Sequence, residues 1–116
     1  MNNDFFPIRA PDYYPDISES AIEGAFLVFR HIRSSFSATP SSVDPSVEGG
    51  IALLYRRKSG QFFKKRNREL FIEIYDKESI IMAIIEDGAM ICVKETTSDD
   101  DTSLNEYFKI FYTEGV

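Results

Sequence analysis

The chain has 116 residues, with 13 Lys and Arg against 19 Asp and Glu, for a net charge of −6. That length suits one domain, and an apolar share of 43% suits a packed core. A single cysteine, Cys92, excludes an internal disulfide framework and a Cys-rich zinc site, while the acidic balance disfavours generic affinity for nucleic acid or membrane.

Residues 1–15 read as an extended arm. Pro7, Pro11 and Pro15 stand among Phe5, Phe6, Tyr13 and Tyr14, and prolines at that spacing forbid a helix. The N-terminus has neither the basic region nor the long apolar stretch of a signal peptide. The longest apolar run, residues 80–85, is too short to cross a bilayer. The expected location is therefore the cytoplasm, of the source cell or of a virus's host, with no membrane partner.

Residues 16–116 read as the domain proper. Asp16 and Glu19 stand in capping-box relation. Ile22, Ala25, Phe26, Phe29, Ile32 and Phe36 then recur at helical spacing, which predicts a helix from Asp16 to Ser34 or Ser35. Residues 37–50 are almost all turn formers and read as a loop within the domain. Strands are predicted at residues 51–57 and 69–75, where apolar positions alternate. Residues 80–85 are apolar on both faces, which marks a central strand covered on both sides. Asp87-Gly88 signals a two-residue hairpin turn, and residues 90–95 form the returning strand. Ser103 and Glu106 make a second capping box ahead of Leu104, Tyr107, Phe108 and Phe111, a short amphipathic helix. Short connections favour strands paired in chain order. The expected fold is α+β: an N-terminal helix across one face of a four-stranded antiparallel meander, and a short C-terminal helix at an edge or on the second face. The alternative for that second face is an oligomer interface.

Charge is unevenly distributed. Residues 56–68 hold seven bases and no acid, whereas the rest of the chain holds six bases and all 19 acids, a balance of −13. The basic set is Arg56, Arg57, Lys58, Lys64, Lys65, Arg66 and Arg68, with Phe62 and Phe63 near the tip of the predicted hairpin. Such a hairpin could dock on an acidic protein and insert both Phe rings. It could also hold a phosphate backbone and stack on bases, or be a solvated loop.

Nothing in the sequence marks a reaction centre or a cofactor. His31 lies on the predicted polar helix face and has no nucleophile at a recognisable spacing. Cys92 sits in a strand and reads as a small core residue. Asp99-Asp100-Asp101 lacks the spaced ligands of a calcium loop and reads as negative charge ahead of a helix N-terminus. Glu73 is expected to cross-pair with Arg56 on the adjacent strand. Gly49-Gly50 precedes a strand, not a helix, so it is not a phosphate loop.

The stretch from Val43 to Tyr55, with Gly49-Gly50 and the apolar Ile51-Ala52-Leu53-Leu54, followed by Leu70-Phe71-Ile72-Glu73-Ile74, resembles a family of small bacterial proteins without an assigned activity. Those proteins carry a Trp where this chain has Tyr55, and a shorter, less charged segment where this chain has residues 56–68. The resemblance implies a loop entering a hairpin and a prokaryotic or phage origin. The expected function is that of a small non-enzymatic interaction or inhibitor protein, of antitoxin-like or phage anti-defence-like type. It would bind a protein partner, with a nucleic-acid-binding module as the alternative and self-association possible.

Overall fold

The structure is a computed structural model that describes residues 17–46, 49–59 and 66–113, with the side chains of Lys58, Ser59 and Arg66 left out of account. The predicted arm at 1–15 and the hairpin residues Phe62, Phe63, Lys64 and Lys65 lie outside the described residues.

Helix α1 spans Glu19–Phe36. Its N-cap is Ser18 rather than the expected Asp16, which lies outside the described residues. The Ser18 hydroxyl accepts from the Ala21 N–H at 3.1 Å, satisfying one of the donors that a helix start leaves free. The helix ends at Ser37, whose left-handed backbone (φ 54°) turns its N–H back to the Arg33 carbonyl. Its buried face is Ala21, Gly24, Ala25, Val28, Phe29 and Ile32. That face is rotated from the predicted stripe, because Gly24 rather than a large side chain lies against the sheet. A Cβ at Gly24 would stand 3.0 Å from Ile74 Cγ2 and 3.2 Å from the Asp76 carbonyl oxygen, so the small residue sets how closely α1 approaches.

Five strands follow: β1 Ser42–Pro45, β2 Ile51–Ser59, β3 Arg66–Asp76, β4 Ser79–Glu86 and β5 Ala89–Thr96. They form one antiparallel sheet in chain order. The meander is as expected, but it has five strands rather than four. The added strand, β1, comes from the segment read as loop. Backbone pairing with β2 holds it, Val43 opposite Leu53 and Pro45 opposite Ile51, and a proline is tolerated at the end of an edge strand because no further ladder bond is required of it. Asp87 and Gly88 both take positive φ (52° and 84°) in the turn between β4 and β5, the conformation that a two-residue hairpin of this twist demands.

Helix α2 spans Asp101–Tyr112, with Asp100 as N-cap. Both helices pack on the same face of the sheet. Ile51, Leu53, Tyr55, Leu70, Ile72, Ile74, Ile80, Met82 and Ile84 share one buried cluster with residues of α1 and α2. Phe108 is its centre: its ring meets Tyr55 edge-on at 5.0 Å and stacks on Phe36 at 5.0 Å. This corrects the placement of α2 at an edge or on the second face. Residues 80–85 have one side in this cluster; on the other side Ala83 is buried, Ile81 and Ile85 are half-buried, and no described helix lies there.

Candidate functional site

The alternation of β2 and β3 divides the basic run between two faces of the sheet. Tyr55 and Leu70 are opposite each other on the helix face, so Arg57 and Arg68, the next pair of that parity, point the same way. Arg56 and Glu69 face the other side and bond at 2.9 Å. The predicted partner of Arg56, Glu73, lies opposite Ala52 instead and accepts from the Ser46 hydroxyl. The expected Glu73–Arg56 pair is therefore replaced by Arg56–Glu69.

Arg57 and Arg68 serve the C-terminus of α2. Arg68, only 3% exposed, donates through Nη1 to the carbonyls of Ile110 and Thr113, both at 2.7 Å, and through Nη2 to Glu86 at 3.3 Å. Arg57 donates to the Phe111 carbonyl at 3.0 Å, and its guanidinium lies 5.4 Å from the centre of the Tyr112 ring. Two cations thus meet the negative end of the helix, where the Ile110 carbonyl also accepts from the Thr113 N–H and the Lys109 carbonyl from the Thr113 hydroxyl. Beside them a cleft of about 590 Å³ opens between the hairpin base and the β4–β5 turn, where Asp87 bonds Asn67. Its walls carry Glu69 and Asp87 along with the arginines, and Arg56, Arg57 and Arg68 all have partners within the chain. The cleft therefore does not present a bare cationic cradle. Of the sequence-predicted contact residues, Lys58 and Arg66 are placed by backbone alone, in β2 and β3.

His31 is part of the interface between the helices. Its Nε2 lies 2.8 Å from Asn105 Oδ1 and its Nδ1 3.6 Å from Asp101 Oδ1. Asp100, the middle of the three aspartates, receives the Thr96 hydroxyl and both the hydroxyl and the N–H of Ser103. Those bonds, led by the one from Thr96, hold its carboxyl well below the ordinary range, at about 2. Among the described residues no group of His, Cys, Asp and Glu is arranged to hold a metal ion, and no helix is long and apolar enough to cross a membrane. Cys92 is partly buried against the core. Burial and the adjacent Cys92 thiol push the Tyr107 phenol up to about 12.

The second face of the sheet carries a pattern that sequence reading met only in part. Cross-strand register lines up Leu54, Phe71, Ala83 and Val93 in one row across β2, β3, β4 and β5. The next row holds Asp44, Ala52, Glu73, Ile81 and Glu95, and the row on the other side holds Arg56, Glu69, Ile85 and Met90. This face is an apolar band with an acidic row along one flank and one Arg–Glu pair on the other. Val93 is 54% exposed and Met90 60%. The sequence signal was the run 80–85, apolar at every position before Glu86.

No protein-family model matches the chain, and neither a characterised protein nor a solved structure matches it.

Proposed function

We propose that this chain is a non-catalytic interaction protein whose open sheet face receives a protein partner with an apolar anchor and a basic rim. The observation that carries this reading is the Leu54–Phe71–Ala83–Val93 row on the face opposite both helices. Apolar side chains aligned on a sheet face favour burial against another surface. The acidic row of Asp44, Glu73 and Glu95 beside them selects a partner of opposite charge and disfavours a polyphosphate there. The same surface suits an inhibitor that works by occlusion, since covering a partner requires no reaction centre.

The test compares capture of proteins from the source cell by three baits: the native chain, Ile81→Lys, and a hairpin variant with Lys64 and Lys65 replaced by Ala. Ile81 lies between Glu73 and Glu95, so a lysine there sets a charge beside the apolar band and offsets its acidic flank. The expected result is a specific partner lost with Ile81→Lys and kept with the hairpin variant, with unchanged far-UV circular dichroism in all three. Retention by a folded Ile81→Lys chain would refute the reading.

A further inference from the structure

The two edges of the sheet differ in kind. β1 is four residues long and ends in Pro45, a short edge of the sort that resists further pairing. β5 is twice as long, contains no proline, and has only its last residue, Thr96, buried. Ile91 is 49% exposed beside Val93 and Met90. An edge strand turns alternate N–H and C=O groups outward, and the groups of β5 form a ready template for another strand.

We infer that β5 pairs with β5 of a second copy, antiparallel about a two-fold axis through Val93. Three observations select this occupant. First, the strand is electrically neutral within an acidic chain, because Lys94 and Glu95 are its only charges. Second, in an antiparallel pair centred on Val93, Cys92 stands opposite the partner's Lys94 and Ile91 opposite the partner's Glu95, so neither Lys94 nor Glu95 meets its own kind. Centring on Lys94 would set two ammonium groups against each other, a destabilising arrangement for directly opposed residues. Third, the apolar row ends at Val93. The Val93-centred dyad joins it to the same row of the second copy, giving one band across both sheets. The same two-fold sends the acidic row of each copy toward the row of Met90, Ile85, Glu69 and Arg56 in the other, not toward its own counterpart. Ile84 pairs with Cys92 and Ile85 with Met90, which makes Ile91 the bulged residue, so the straight part of β5 is residues 92–96 and the Cys92–Lys94 pairs about Val93 lie within it. The inference is independent of the heterologous partner proposed above, since an edge pairing leaves the open faces of both copies accessible.

Sedimentation equilibrium tests it. The native chain is expected at twice its 13.3 kDa mass. Val93→Lys, which places two like charges on the axis, is expected at monomer mass with an unchanged circular dichroism spectrum. Leu27→Lys, an exposed position on α1, is the control and is expected to remain dimeric. A second measurement fixes the register independently of folding losses. In a Cys92→Ser background, Val93→Cys is expected to form an interchain disulfide under mild oxidation faster than Ile91→Cys. A monomeric native chain, a dimer that survives Val93→Lys, or faster crosslinking through position 91 would each overturn the inference. None of these results depends on whether a different protein binds the open face.

Discussion

Arg68 ties β3 to the end of α2 and to β4. A guanidinium presents donors in a rigid fork, and here the fork spans the end of α2 and the Glu86 carboxylate. Because Arg68 is buried, water does not replace those bonds when the side chain is removed. Arg68→Ala should therefore cost about 3 kcal/mol, the scale of breaking a buried ion pair. Arg68→Lys should fall between, since an ammonium cannot span the same three acceptors. Urea unfolding of the three proteins at neutral pH checks the order, and an Arg68→Ala protein as stable as the native chain would dismiss the clamp. Tyr55 presents the opposite case. Its ring fills the core against Phe108, but its hydroxyl is buried without a hydrogen-bond partner among the described residues, and burial raises its pKa first, the nearby Tyr112 second. An unsatisfied buried hydroxyl is a destabilising group. Tyr55→Phe should raise stability by about 1 kcal/mol on that ground, visible as a higher melting temperature.

At the scale of the element, α2 depends on both of its ends. Arg57 and Arg68 hold the C-terminal carbonyls, and Asp100 holds the N-terminus through Ser103 while bonding Thr96 at the end of β5. The folded state lowers the Asp100 carboxyl from about 3.8 to about 2. A depressed carboxyl favours folding when ionised, so its contribution is complete above about pH 4 and is lost as pH falls toward 2. Asp100→Asn should flatten the fall in melting temperature across that window, and an unchanged profile would show that other carboxylates dominate it. This cap is half legible: the aspartate run reads as charge ahead of a helix, but the capping box of Ser103 with Glu106 points to a later start. The helices, β2 and β3 are legible from their apolar periods, β4 from its continuous apolar run and β5 from the Asp87-Gly88 turn before it. β1 was not, since Ser42–Pro45 has no period of its own and exists through its pairing with β2. The fate of the basic run was hidden for a related reason. Composition shows seven bases in 13 positions, but only cross-strand register reveals that Arg57 and Arg68 turn inward and Arg56 outward. Gly24 likewise looks like a weak point in a helix until the sheet behind it is known.

At the scale of the molecule, both helices pack on one face of the sheet, and the proposed partner would dock on the other. Its charge and its apolar band influence different stages of binding. Charges at the rim act over a Debye length and govern encounter, whereas desolvated apolar contacts govern how long the complex lasts. Glu73 and Glu95 flank Ile81 in the acidic row, and Phe71 lies in the apolar row beside it. For the captured protein partner, replacing both glutamates by Gln should slow association several-fold at low salt, by the loss of steering. It should also weaken the dependence of the association rate on ionic strength and leave dissociation nearly unchanged. Phe71→Ala should do the reverse, speeding dissociation with little change in association, because an anchor in a buried contact is lost. Surface plasmon resonance at two salt concentrations separates the two effects. If the glutamate variant and Phe71→Ala altered the same rate constant in the same direction, the face would not be working as an acidic-rimmed apolar dock. A partner whose association instead slowed only when the hairpin bases were removed would move the contact to residues 56–68, the other pole of the chain's charge.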